Sequence, residues 1–359
     1  MSGAISGGFP VLAQLISNLG RVKHNFDTLT EQASSGLIAN TYAGLNGSAS
    51  IALSLTSRID NLRIAKNNIA AASGTAEVTQ TAMKQIGSIA ANLLSEMPTL
   101  HGVDSSVVDM IAANARRDLA QVADLLNSQY GEVYVFAGAD SLNAPVPNAD
   151  QITSSGFFLQ ISASVANLSA NGAAFTETAT LAIASSNTAG TSPFSSYLSQ
   201  PTSALSPPSV STGDGQSQTI GLLASGNTSS VSTGPSTTGS YMRDLMRALA
   251  TIGSLNSGQA NDPNFASLLS DIQTSVTGAI TAMSTDVGIL GQQQSNLTIL
   301  STTLSDTQTV LTGQLSSAQN VDMAATLSNL SLTQTQLQES YQLISVTSGL
   351  SLAKFLPAG

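Results

Sequence analysis

The sequence predicts a mainly α protein. A long coiled-coil-like helical bundle is formed by the N- and C-terminal segments, with a small β-rich insertion in the middle. Three observations carry this. Apolar residues near the N-terminus recur at alternating steps of three and four, the spacing of a helix that packs lengthwise on another. The same spacing returns near the C-terminus. Between Ala139 and Gly239 the period disappears, and with it every basic residue.

The first seam is Leu12, Leu15, Leu19, Val22, Phe26, Leu29 and Ala33, with Gly36 as its stop. A longer seam follows, in which Leu55, Leu62, Ile69, Ala76, Met83, Ala90 and Met97 recur every seven residues. Arg58, Ala65, Ala72, Thr79, Ile86 and Leu93 interleave with them. One helix from Ser50 to Met97 would be about 70 Å long, and Pro98 ends it. A third helix, Asp104 to Gln129, carries an apolar stripe that includes Ile111, Leu119 and Leu126. After Tyr130-Gly131 the period changes to two at Val133 and Val135, which predicts a short strand.

The stretch 140–239 is rich in Ser, Thr, Ala, Gly and Pro and holds four acidic residues. Phe157–Ile161 and Thr219–Leu223 are expected as strands, with turns at Pro207-Pro208 and Gly213-Asp214-Gly215. Helical patterning resumes with Tyr241–Leu255 and again from Phe265, where Leu297, Leu300, Leu304 and Leu311 keep seam spacing. The last segment carries Leu327, Leu330, Leu337, Tyr341 and Ile344. The expected division is therefore 1–36 with 320–359 as terminal coiled coil, 37–139 with 240–319 as a helical bundle, and 140–239 as a variable surface insertion.

Composition narrows the function. Only 9% of residues are charged and the net charge is −10, against about 25% charged in an ordinary soluble domain. Low charge suits subunits that pack against many copies of themselves. No basic face exists for nucleic acid, and an anionic membrane surface is disfavoured on the same ground. There is no Cys, so thiol chemistry and thiolate metal sites are excluded. No apolar run reaches the ~18 residues of a membrane span. Met1–Pro10 lacks the basic and apolar regions of a Sec signal peptide.

Catalytic patterns are missing. Neither GxSxG nor GxGxxG occurs, and His24 and His101 lie too far apart in sequence for HExxH. Ser351-Leu-Ala-Lys354 has SxxK spacing without its companion motifs. The pairs Asp271/Asp286 and Asp118/Asp124 are expected on solvated helix faces rather than as an acid–base dyad. Asn46-Gly-Ser48 and Asn227-Thr-Ser229 are sequons of the frequency a Ser/Thr-rich chain produces by chance. The residues predict no enzyme, no metal and no cofactor.

Several segments resemble the bacterial flagellin superfamily, most closely its hook–filament junction relative, hook-associated protein 3. Leu29-Thr-Glu-Gln-Ala-Ser-Ser-Gly36 resembles the family's N-terminal helix end, followed by Leu53–Arg58 and Asn67-Asn68-Ile69. Tyr134-Val-Phe-Ala-Gly138 resembles the segment that closes the N-terminal half of the junction protein. Within it Tyr134, Phe136 and Gly138 carry the match. Val287–Gly291 with Asn296-Leu297, then Val321-Asp-Met-Ala324, then Ser351–Leu356, follow in the family's order. Where the family carries an acidic turn after the first helix, Ala43-Gly-Leu-Asn-Gly-Ser48 stands here.

The resemblance implies a self-assembling axial subunit of the flagellum, exported without a cleaved signal and supporting motility. Its terminal helices would form an inner tube and the next segments an outer layer, with the insertion facing solvent. Its partners would be copies of itself, hook-associated protein 1, filament flagellin and an export chaperone on the C-terminal helix. Bulk filament flagellin and a flagellin-like surface binding protein are the alternatives. The inner-tube seam would comprise the N-terminal residues Leu12 to Leu29 and the C-terminal residues Leu327 to Ile344 named above. The outer bundle core would use Leu55, Leu62, Ile69, Met83, Ile86, Leu93, Leu119 and Leu126.

Overall fold

The computed structural model describes residues 8–100, 105–213, 216–226, 232, 234 and 236–353. His101, Asp104, Asp214, Gly215, the Asn227 sequon and Lys354–Leu356 lie outside them. The chain divides into two compact units, Met1–Arg63 with Ser305–Gly359, and Ile64–Leu304.

In the first unit, helix α1 (Gly8–Ser35) ends at Gly36, whose φ of 74° suits a residue without Cβ. The chain then crosses to the start of α9 (Met323–Ala353) through an antiparallel bridge between Leu37 and Asn320. Ile38 N donates to the Gln319 carbonyl at 2.7 Å, and Val321 N to the Gly36 carbonyl at 3.0 Å. Asp322 starts α9 by accepting from Ala324 N and Ala325 N at 2.9 and 3.1 Å, an N-cap. From there α9 packs back along α1. A short 3-10 segment, Tyr42–Ser48, leads into α2 (Ala49–Glu96) and buries Leu45.

The second unit holds a large apolar core, which joins the later turns of α2, helix α3 (Ser105–Leu126), α7 (Tyr241–Gly253) and the first turns of α8 (Phe265–Gln319), and a smaller cluster of Ile69, Ala76, Ile220, Leu290 and Leu297. Every residue of α7 is buried. The α2 seam is as periodic as expected. Ile69, Ala76, Met83, Ala90 and Met97 are buried, with Thr79, Ile86 and Leu93 between them. After α3 comes a hairpin of β1 (Gln129–Tyr130) and β2 (Val133–Tyr134), paired Gln129 to Tyr134 and Tyr130 to Val133.

The stretch between 140 and 239 departs from expectation. Phe157–Ile161 is not a strand but part of α4 (Gly156–Ala166). Ser155 caps it, its Oγ accepting from Phe158 N at 3.3 Å, and Phe157, Phe158, Ile161 and Val165 fall on one buried face. A short apolar run does not distinguish strand from buried helix by itself; the cap and the i, i+4 partners decide here. Helices α5 (Leu168–Asn171) and α6 (Ala173–Ser185) follow. The β content is one antiparallel hairpin, β3 (Ser209–Gly213) with β4 (Gln216–Thr219). Of the expected strand Thr219–Leu223, only Thr219 belongs to β4.

The insertion also forms no unit of its own. Phe157, Phe158, Ile161, Val165, Leu168, Leu222 and Leu223 belong to the same apolar core as α3 and α7.

Candidate assembly face and the polar anchor of the insertion

On α1 the heptad positions Leu15, Leu19, Val22, Phe26, Leu29 and Ala33 are half-buried, and the residues around them are mostly exposed. Leu12 lies on α1 with its side chain outside the described residues. On α9 the covered positions are Thr326, Leu330, Thr333, Leu337, Ser340, Ile344 and Thr347, again stepping by four and three. Leu330, Leu337 and Ile344 are among these covered positions, whereas Leu327 and Tyr341 are each 51% exposed. The covered stripe alternates one aliphatic residue with one hydroxyl. Thr333 and Thr347 satisfy their hydroxyls on carbonyls of their own helix, Asn329 O at 2.7 Å and Leu343 O at 2.8 Å. They can thus sit in a seam without leaving a buried donor.

This pairing covers one stripe of each helix. Ile16 on α1, and Leu327, Leu332, Tyr341, Leu343 and Val346 on α9, all face outward. Charged residues are sparse between them, and the ion pair that α1 does hold, Lys23–Asp27 at 3.1 Å, is an exposed i, i+4 contact, worth less than about 1 kcal/mol. Exposed apolar residues around a half-apolar seam mark a surface that is incomplete as a monomer.

In the other unit Ile69, Met83, Ile86, Leu93, Leu119 and Leu126 are all buried. Leu55 and Leu62 fall in the terminal unit, Leu55 buried and Leu62 half-buried. The Tyr134–Gly138 segment ties the insertion down. Phe136 is fully buried and its carbonyl accepts from Ala224 N at 3.0 Å. Tyr134 is half-buried, and its N–H donates to the Ser141 carbonyl at 2.8 Å. Gly138 has φ 66°, and a Cβ there would meet Leu223 and the Ser206 carbonyl.

Sequence reading missed a buried polar centre built from α7. No Lys or Arg occurs between Arg117 and Arg243, so Arg243 and Arg247 supply the cations that meet the insertion's carbonyls. Arg243 donates to Ser225 O at 3.0 Å, Ala184 O at 2.8 Å and Asn187 Oδ1 at 2.8 Å, and stacks 5.1 Å over Phe194. Arg247 donates to Ser236 O at 3.0 Å and pairs with Asp271 at 3.2 Å. Asp244 accepts from Thr238 N at 2.7 Å and from the Thr237 hydroxyl. Tyr241 donates its hydroxyl to Asp286 at 2.8 Å.

The expectation that Asp271 and Asp286 are solvated is thereby corrected. Both are held by donors from α7, and Asp286 is fully buried. Asp118 is half-buried and Asp124 exposed.

The electrostatics match this burial. Desolvation holds the Tyr241 hydroxyl well above its ordinary pKa, reinforced by the Asp286 charge. Burial lowers the Arg243 guanidinium, opposed by Asp244. Glu177, on α6, is raised by burial and then by its contact with Asp271. Asp118 and Asp124 are raised, each chiefly by burial. The network joins the insertion to α7 and α8, and its Tyr241, Thr237 and Ser236 hydroxyls donate to Asp286, Asp244 and Glu177. Among the described residues no cluster of three or more His, Cys, Asp or Glu is arranged to hold a metal, and no helix is long and apolar enough to cross a membrane.

Two family models match the chain. Residues 11–141 match the bacterial flagellin N-terminal helical region, and residues 273–356 the bacterial flagellin C-terminal helical region. Together they cover more than half of the sequence and leave out the insertion. No curated protein matches it by sequence. Among solved structures, a Vibrio parahaemolyticus chain described as a flagellar hook-associated protein is similar at a TM-score of 0.48 and 10% identity, covering 75% of this chain and 96% of that one.

Proposed function

Because the chain belongs to the bacterial flagellin family and is a structural subunit of the flagellum, we propose that it acts at the hook–filament junction as a self-assembling axial protein. The observation that carries the assembly reading is the α1–α9 pair, with its half-covered seam and its outward Leu332, Leu343 and Val346. In the assembly, these helices pack against those of neighbouring copies as an inner tube. The junction position is supported by Tyr134-Val-Phe-Ala-Gly138, which closes the N-terminal half. The partners are further copies of the chain, hook-associated protein 1 and filament flagellin, with a chaperone on the C-terminal helix before export. The chain is exported to the cell exterior, works by packing rather than catalysis, and binds no nucleic acid or cofactor.

Leu337→Asp in the producing strain tests the assembly reading. A charge in a packed seam costs at least the ~2–5 kcal/mol of losing the large side chain, repeated in every subunit. Export should persist while incorporation and swimming fail; normal swimming would refute the inner-tube role. Electron microscopy of the purified chain under assembly-promoting conditions tests the position. Short or no polymers support the junction, and long filaments from this chain alone would make it the bulk filament subunit.

A further inference from the structure

Asn46 is the one non-glycine residue with positive φ among the described residues, at φ 46° and ψ −118°. It is exposed, and the next residue is Gly47, also exposed. A Cβ built on Gly47 would find nothing within 4 Å, so no neighbour crowds this peptide. The turn is nevertheless held in shape. Leu45 is buried, Gly44 N donates to Thr41 O at 3.1 Å, and Ala49 N donates to Asn46 O. The unusual torsion is therefore a property of the folded turn. It is close to the conformation of the first central residue of a type II′ turn, where Gly, Asn and Asp predominate.

The value of ψ has a chemical consequence. At an L-carbon the Cβ stands a third of a turn from the backbone nitrogen, so a ψ near −118° places Cβ almost eclipsed with the nitrogen of the following residue. That is the torsion required by a five-membered ring through Cα, Cβ, Cγ, the next amide nitrogen and the main-chain carbonyl carbon. We propose that Asn46 is a site of spontaneous deamidation that the fold promotes rather than suppresses.

In the first step the Gly47 amide gives its proton to base, and its nitrogen forms a bond to Asn46 Cγ. The Cγ–Nδ2 bond breaks, and Nδ2 leaves as ammonia after taking up a proton. Water then opens the cyclic imide. Opening at Cγ leaves aspartate, and opening at the main-chain carbonyl leaves isoaspartate. Either product makes the chain one charge more negative, and isoaspartate adds a backbone carbon to the turn before α2. The Gly47 position favours the step because no side chain shields its nitrogen.

The chain carries its own control. Asn171-Gly172 is the other Asn-Gly pair, but Asn171 lies in α5, and Gly172 N donates to the Leu168 carbonyl at 2.8 Å. A helical ψ of about −42° holds the Asn171 Cβ away from the ring torsion, and the nitrogen that must attack is occupied.

The experiment incubates the purified full-length chain in mildly alkaline buffer, folded and in urea. Peptide mapping by mass spectrometry then follows the one-dalton gain at both sites. The expected result is that Asn46 is lost faster in the folded chain than in urea, while Asn171 is lost more slowly when folded. Loss of Asn46 in the folded chain at a rate equal to or below that in urea would overturn the proposal. Gly47→Ala should slow the reaction at Asn46; an unchanged rate in that variant would also overturn it.

Discussion

Arg247 of α7 meets Asp271 of α8 across 3.2 Å, with the two side chains 0% and 6% exposed. Two other ion pairs, Lys23–Asp27 and Arg63–Asp60, stand in solvent. Desolvating two charges costs several kcal/mol each before their attraction offsets it. This pair also leaves Arg247 Nε and Asp271 Oδ1 without partners among the described residues. Its role is therefore to fix where α8 and the insertion meet α7, more than to add net stability.

That reading predicts an asymmetry. Arg247→Met strands a buried carboxylate and removes the donor to Ser236 O, and should cost about 3–5 kcal/mol. Arg247→Met combined with Asp271→Leu removes both charges and should recover most of the loss. Urea unfolding of the single and double variants measures it. A double variant as unstable as the single one would mean that the pair itself stabilises the fold.

The carboxyl of Glu177 gives a pH dependence. Burial raises it, the hydrogen bond and charge of Asp271 raise it further, and Ser236 and Arg247 pull it back. The folded chain thus keeps this proton to higher pH than the unfolded chain. The associated stability is complete below the unfolded pKa and is lost as pH rises through the folded one. Glu177→Gln should flatten the fall in melting temperature just above the ordinary carboxylate range. Because Glu177 is half-buried and still reached by solvent, the gain should stay below about 1 kcal/mol. A variant whose profile keeps the parent's slope would place the titration elsewhere.

The parts of the fold legible in the sequence are those with a sustained period. The α2 seam survives because Ile69, Met83 and Ile86 repeat on one face through many turns, and length averages out local exceptions. The insertion was misread where evidence was short. Phe157–Ile161 is a five-residue segment, apolar except for Gln160, whose state is settled by Ser155 and Val165 on either side. The centre around α7 was invisible for another reason. Charges are rarely buried, and nothing local to Arg243, Asp244 and Arg247 says that their partners arrive from distant insertion segments. On α9, Thr326, Thr333 and Ser340 hide the seam because their hydroxyls are spent on, or suited to, their own helix.

Removal of 145–235 follows from the shared core. Were this stretch a surface decoration, its deletion would leave the rest folded. Instead it carries Phe157, Ile161, Val165, Leu168, Leu222 and Leu223, which cover α3 and α7. Each such side chain contributes about 1.5–3 kcal/mol on burial, and Arg243 would lose Ala184 O, Ser225 O and Asn187 together. The deleted chain should show lost helix signal in circular dichroism and rapid proteolysis within 64–304. A cooperative unfolding transition equal to the parent's would show that the insertion is separable after all.

Two glycines with similar backbone should respond differently to the same substitutions. Gly36 has φ 74° and Gly138 has φ 66°, so alanine at either carries a left-handed cost of about 1–2 kcal/mol. At Gly36 a Cβ would meet only Met323 Cε at 3.9 Å, an ordinary contact. At Gly138 it would lie 2.6 Å from Leu223 Cδ2 and 2.8 Å from the Ser206 carbonyl oxygen. The leucine can turn, but the carbonyl belongs to the backbone and cannot move without the segment that carries it. Asparagine relieves the conformational cost and leaves the steric one. Gly36→Asn should therefore be close to neutral and better than Gly36→Ala. Gly138→Asn should be no better than Gly138→Ala, and both should lose more than the Gly36 variants. Urea midpoints for the four variants decide this. Equal rescue by asparagine at both positions would mean that the segment after Phe136 yields, and that its tie to the insertion is looser than its hydrogen bond with Ala224 implies.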